Sequence, residues 1–292
     1  MNNEKNNNIT KGVICIILSA FFFALMGLFV QLSGDLPSAQ KSLFRNGVAS
    51  VVAFVMLIRE GEGFLWKKGS LLPLILRSTF GAIGVLCNFY ALDHLILSDA
   101  LMLNKLSPFF AIILSFLLLG EKITLFQIIM VIMAFWGSLF IIKPTPDLLN
   151  PASIIGLLGG FCAGFAYTMV RKLSNQGERK TYIVFFFSAF SSLSLLPYVI
   201  FNFHPMGFMQ LIYLFSAGIC AALGQFTITS AYLYAPAREI SVYDYTQVIF
   251  TTLLSFIIFG DVPDIMSVTG YVIICLSTLI MFLKNKKAAK LK

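Results

Sequence analysis

Residues 110–120 read FAIILSFLLLG and residues 250–260 read FTTLLSFIIFG, an ungapped match at an offset of 140 in a chain of 292 residues. An offset close to half the length marks a duplicated half. The same register places Glu121 on Asp261, Thr124 on Asp264, Ala91 on Ala231 and Gly84 on Gly224, so the match extends past one hydrophobic run. If each half crosses a membrane an odd number of times, the two copies insert upside down relative to each other.

Composition says that they do cross one. The chain is 58% hydrophobic and 12% charged, against about 25% charged residues in soluble domains. Apolar runs of about 20 residues fall near 12–32, 41–58, 71–92, 100–119, 125–142, 154–172, 182–201, 209–234, 240–259 and 266–283. The expected fold is therefore all-α and integral to the membrane, with ten transmembrane helices as two inverted five-helix repeats. Gly34, Asp35 and Pro37, Pro144 and Pro146, Pro205 and Pro263 punctuate the span ends. Thr124 and Asp264 are good N-cap residues at equivalent helix starts. The weakest separations are 92–100, with Asp93, His94, Ser98 and Asp99 as its polar breaks, and 234–240, broken by Pro236, Arg238 and Glu239.

Lys and Arg resist translocation, so their distribution orients the bundle. With ten spans, sixteen loop and tail cations fall on one side, and Lys41 and Lys143 fall on the other. Both termini are expected in the cytoplasm, with the chain in the cytoplasmic (inner) membrane. The net charge of +8, including the basic tail 285–292, reads as cytoplasmic loops meeting the anionic lipid bilayer, and nucleic acid is not an expected partner.

Enzymatic signatures are missing. No GxxxxGK[ST], GxSxG or HExxH occurs, and His94 and His204 stand apart from any acidic or cysteine cluster. All five cysteines, at 15, 87, 162, 220 and 275, fall inside spans without a CxxC pair, which supports neither a disulfide framework nor a zinc site. The loops are too short for a soluble domain. No cofactor is expected, and the helices themselves must carry the function.

Charges inside a span cost about 2.5–3.5 kcal/mol each and need partners or water. Arg45 and Arg77 lie about six residues inside their helix ends, roughly 9 Å at 1.5 Å per residue, and are read as snorkelling. Lys105 and Asp244 are deeper. The repeat register places Asn104 on Asp244 and Lys105 on Tyr245, so in an inverted pair both positions approach the pseudo-two-fold axis, where transporters place substrate. Asn104, Lys105, Tyr243, Asp244, Tyr245 and Gln247 are candidate cavity residues; a fixed polar contact between two helices is the other reading. Tyr232 and Tyr234 read as interfacial anchors, while Tyr90 and Tyr167 could offer ring faces to a solute. The small residues at 156, 160 and 164 form a close-packing face.

Four stretches carry a family resemblance: Arg45 in the second span, RSTFGAIGVLCNFYAL at 77–92, LSPFFAIILSFLLLGEKI at 106–123, and AYLYAPAREISVYDYTQVIFTTLLSFIIFGDVPD at 231–264. The chain resembles the drug/metabolite transporter superfamily, in its EamA-type ten-helix branch, over repeats at 9–142 and 152–284. The resemblance implies alternating access of a small organic solute to a central cavity. It also implies cavity positions at Asn88, Asn104, Lys105, Ser107, Gln225, Thr229 and Asp244. With tryptophan only at 66 and 136, a multi-tryptophan cage for quaternary ammonium is not expected. The short four-helix multidrug branch depends on a glutamate in its first helix, and no acid lies between residues 12 and 32.

Two functions follow. One is a secondary transporter of a small polar metabolite, an amino acid or nucleoside-like solute, with protons considered as a coupling ion through Asp244. The other is a membrane scaffolding or lipid-handling protein that keeps the fold without flux. The residues leave the substrate, the direction of transport and the oligomeric state open.

Overall fold

The computed structural model describes residues 2–95, 97–143, 151–260 and 262–290. Pro144, Pro146 and Asp261 lie outside them, as do the side chains of Asp93, Ser98, Asp99 and the 285–292 tail. Twelve helices account for the described chain: α1 (Asn2–Leu32), α2 (Ser38–Glu60), α3 (Leu71–His94), α4 (Leu97–Asn104), α5 (Ser107–Leu119), α6 (Leu125–Ile142), α7 (Pro151–Asn175), α8 (Lys180–Phe201), α9 (Phe208–Tyr234), α10 (Ala237–Ile240), α11 (Thr246–Phe259) and α12 (Ile265–Lys290). They form ten segments long and apolar enough to cross a membrane. The fourth, Ala100–Leu119, joins α4 to α5, and the ninth, Ala237–Phe259, joins α10 through a 3₁₀ turn at Ser241–Tyr245 to α11.

The duplication is visible in the packing. α1 lies along α9 and its repeat counterpart α7 along α3; α11 on α1 mirrors α5 on α7; α2 on α9 mirrors α8 on α3. The pairs α2 with α8 and α6 with α12 are their own counterparts. Each half packs chiefly on the other, so neither buries its polar face alone.

The conserved spelling of the repeat has local causes. Gly120 and Gly260 end equivalent helices with φ of 65° and 76°, a left-handed conformation that glycine adopts without a Cβ penalty. Four residues later Thr124 Oγ1 accepts from the Gln127 amide at 3.4 Å, and Asp264 Oδ1 accepts from the Ser267 amide at 3.0 Å. These are two N-caps at equivalent positions.

Apolar side chains such as Val51, Leu117, Leu193 and Ile257 face outward, while Arg45, Arg77, Lys105 and Asp244 are buried. That distribution suits lipid outside and polar groups within. Arg45 and Arg77 do not snorkel: they are 5% and 3% exposed. Their depth along the helix permits snorkelling, but the helix faces that carry them turn into the bundle. Tyr232 is likewise no interfacial anchor, since it is 2% exposed and stacks on Tyr167 with centroids 5.2 Å apart.

Candidate functional site

Both repeats break their fourth helix at the same register. In the first, Pro108 has no amide hydrogen and its ring crowds the carbonyl four residues back, at Asn104, where α4 ends. The Phe109 amide bonds to Leu106 instead, which removes the helical donor from the Lys105 carbonyl. In the second repeat the 3₁₀ turn Ser241–Tyr245 interrupts the helix. Unwound backbone within a bilayer must find other partners, and here each break supplies them to the other. The Tyr245 hydroxyl donates to the Lys105 carbonyl at 3.0 Å. The Lys105 ammonium donates to the Asp244 carbonyl at 3.3 Å, to Asp244 Oδ2 at 3.1 Å and to Gln247 Oε1 at 2.7 Å.

Three acceptors saturate the three hydrogens of a lysine ammonium. Lys105 therefore works as a staple across the pseudo-two-fold axis, with Tyr245 as its reciprocal.

The glycine face of α7 seats the first break. A Cβ at Gly160 would lie 2.6 Å from the Leu103 carbonyl oxygen, and one at Gly164 would lie 2.8 Å from the Ser107 carbonyl oxygen and from the Ala111 amide. These are main-chain contacts, so α4 and α5 approach as closely as they do only because the side chains are absent.

Beside the break lies a cavity of about 120 Å³. From the first repeat it is lined by Phe23, Met26, Arg45, Arg77, Asn88, Asn104 and Ser107, and from the second by Tyr167, Phe187, Gln225, Asp244 and Gln247, with Val85, Phe89, glycines and alanines completing the wall. The chain thus brings together Asn88, Asn104, Ser107, Gln225, Asp244 and Gln247 from the sequence-derived set. Lys105, Thr229, Tyr243 and Tyr245 do not line the cavity, although all four are buried. Tyr167 lines it, whereas Tyr90 is exposed and stacks on His94 at 3.9 Å. Arg45, Arg77 and Phe187 join the lining without having been singled out as cavity residues.

The end of the bundle that carries the basic loops is sealed beneath Tyr167. One turn further along α7, Arg171 pairs with Glu121 at 3.0 Å and donates to the Tyr232 carbonyl at 3.2 Å. Ser174 donates to the Leu233 carbonyl at 3.2 Å, and Arg238 donates to the Lys122 carbonyl. At the opposite end Gln40 exchanges two hydrogen bonds with the His204 main chain and Gln210 donates to the Ser33 carbonyl, each at 3.0 Å, but among the described residues no contact of this kind there ties α1 to α3, the repeat counterparts of α7 and α9. Gly27 stands there at the register position of Tyr167.

A broken-helix pair and a polar cavity between inverted repeats are the features of a solute carrier. The sequence comparison places the chain among such proteins, since the description of an EamA-like transporter family matches residues 10–143 and 150–283. The chain belongs to the EamA-like transporter family. This membership also assigns it to the drug/metabolite transporter superfamily. It is 31% identical over 271 residues to a pseudopaline exporter of Pseudomonas aeruginosa, covering 91% of this chain and 94% of that one. A riboflavin transporter of Vibrio cholerae is 27% identical, with 91% of each chain covered. Human solute carrier family 35 member G1 is 26% identical, covering 89% of this chain and 75% of the relative. A solved crystal structure superposes with a TM-score of 0.80 at 15% identity, covering 93% of this chain and 97% of that one. That likeness speaks to the fold alone. The EamA-like family member described here is a multi-pass membrane protein of the transporter class.

Proposed function

We propose that the protein is a secondary transporter that carries a small polar organic metabolite, such as an amino acid or nucleoside-like solute, across the cytoplasmic membrane by alternating access. The observation that carries this reading is the cavity itself: polar side chains from both repeats converge on it inside an otherwise apolar bundle. Static helix packing does not call for an internal space lined by four amides, two guanidinium groups and a carboxylate. Each would cost less free energy if replaced by a hydrocarbon of the same shape.

The uneven distribution of basic loops supports both termini in the cytoplasm. The seal of Arg171, Ser174, Arg238 and Tyr232 is then cytoplasmic, and this conformation is closed inward. Opening it while α1 closes on α3 exchanges the access of one cavity between two faces, as inverted repeats allow. Asp244 is the cavity's acid and the group on which proton coupling would fall. A response to a pH gradient that survives Asp244→Asn rejects that role.

The test is reconstitution of the purified protein into liposomes with a metabolite panel. Saturable uptake of at least one solute, absent from protein-free vesicles, is the expected result. Failure across a panel of amino acids, nucleosides and organic acids would favour a scaffolding or lipid-handling role.

A further inference from the structure

The cavity holds a charge imbalance that neither the repeat nor the helix break requires. Arg45 and Arg77 line it, and the one acid among its lining residues is Asp244, which is paired with Lys105 at 3.1 Å. Neither arginine forms an ion pair among the described residues. Their partners are neutral. Arg45 Nε lies 3.1 Å from Met26 Sδ and Nη1 donates to Asn46 Oδ1 at 3.2 Å. Arg77 Nη2 donates to Gln225 Oε1 at 3.0 Å, and the guanidinium lies 4.1 Å from the Phe187 ring centre. Arg77 Nε is buried with no acceptor at all.

Three cations against one carboxylate leave two positive charges in excess inside the bundle. Buried charge is stable only with a counter-charge or water. Gly81 leaves room for Arg77: a Cβ there would meet its Nη1 and would lie 2.7 Å from the Phe187 ring that the guanidinium faces. The repeat does not explain the pair either, because the positions equivalent to Arg45 and Arg77 hold Phe185 and Ala217. These cations belong to one half and to one task.

We infer that the cavity takes a small organic anion with two carboxylate groups, bound by Arg45 and Arg77, an assignment that rests on reading the cavity as the solute path. A guanidinium presents a planar fork of donors that matches a carboxylate. Two such forks, on different helices and steadied by different neutral partners, suit two separated carboxylates, and a dianion offsets the excess charge. The rings of Phe23, Tyr167 and Phe187 bound the space between and favour a carbon skeleton over an inorganic ion.

The probes are succinate and glutarate, compared with succinamate, succinamide, 1,4-diaminobutane and inorganic phosphate, in equilibrium binding to the full-length protein in detergent. At least one dicarboxylate is expected to bind saturably, succinamate about tenfold or more weaker than succinate, and succinamide and the diamine not measurably. In Arg77→Gln and Arg45→Gln, dicarboxylate binding weakens by about tenfold or more, and Arg77→Lys keeps part of it. The wild-type charge series needs no variant, so a misfolded substitution does not blunt the test. Binding of succinamide, the diamine or phosphate as tight as that of the dicarboxylates, or no binding of either dicarboxylate, overturns the assignment. Dicarboxylate binding without flux in liposomes would sink the transport reading and leave the anion site standing. Saturable flux of a neutral or cationic solute by protein that binds no dicarboxylate would do the reverse.

Discussion

The Tyr245 hydroxyl donates to the main-chain carbonyl of Lys105 at 3.0 Å across a sequence separation of 140 residues, so the two residues occupy the same position in the two repeats and meet at the axis that relates them. The Lys105 ammonium returns the contact on the Asp244 carbonyl and carboxylate. Two interrupted helices thus satisfy each other's freed main-chain groups, and the polar cavity lies against that crossing.

This crossing makes a graded stability prediction. Tyr245→Phe leaves the Lys105 carbonyl without its donor and should lower stability by about 1–3 kcal/mol. Lys105→Met leaves Asp244 buried without its counter-charge and should cost about 3–5 kcal/mol. Thermal unfolding in detergent at matched purity checks the order; a tyrosine substitution costlier than the lysine one would contradict it.

Glycine substitutions on two helices separate packing from mere presence in a helix. Gly164→Ala pushes a methyl to 2.5 Å from the Phe110 Cβ and 2.8 Å from main-chain atoms of α5, an overpacking expected to cost about 1–3 kcal/mol. Gly27→Ala meets nothing within 4 Å and should leave the melting temperature unchanged or slightly raised. Equal effects of the two would remove the role assigned to the α7 glycine face.

Arg171 ties α7 to Glu121 and to the end of α9. Arg171→Ala deprives both acceptors and should shift the population toward the state open at the basic-loop end. Labelling an Asn88→Cys reporter with an impermeant maleimide, in a background free of the native cysteines, should slow from the opposite side by severalfold. Unchanged labelling would mean that Arg171 does not hold the seal.

A surface contact carries a pH signature. The Lys143 ammonium, with the Ser267 amide, holds the exposed Asp264 carboxyl down to about 2 from its ordinary 3.8. A carboxyl depressed in the folded state stabilises fully above its unfolded value, and the gain disappears as pH falls through the folded one. The melting-temperature gap between wild type and Asp264→Asn should be constant above about pH 5 and close between about pH 4 and about pH 2. It should be small, because the pair is exposed. A gap that widens on acidification would contradict the assignment.

The ten spans and the caps at 124 and 264 were legible because each depends on local sequence, the caps repeated at one register. The helix breaks were not read as breaks: the mean hydropathy of 100–119 and 240–259 stays high despite Lys105 and Asp244, and hydropathy does not register a missing hydrogen bond. Pro108 was the available signal for the first break, through the carbonyl it crowds at Asn104. For the second, the 3₁₀ turn at Ser241–Tyr245 has no proline, and only the register inherited from the first repeat points to it. Arg45 and Arg77 show the other limit. Distance from a helix end fixes depth, but the face a side chain turns to depends on neighbours 19 and 148 positions away, Met26 for one and Gln225 for the other.

The central claim is that solute passes through the cavity between the repeats, and the measurement closest to it is flux through a plugged cavity. Asn104→Cys, with the five native cysteines replaced, should transport in liposomes, lose transport on maleimide alkylation, and be protected from alkylation by the transported solute. Undiminished flux after complete alkylation of residue 104 would contradict it.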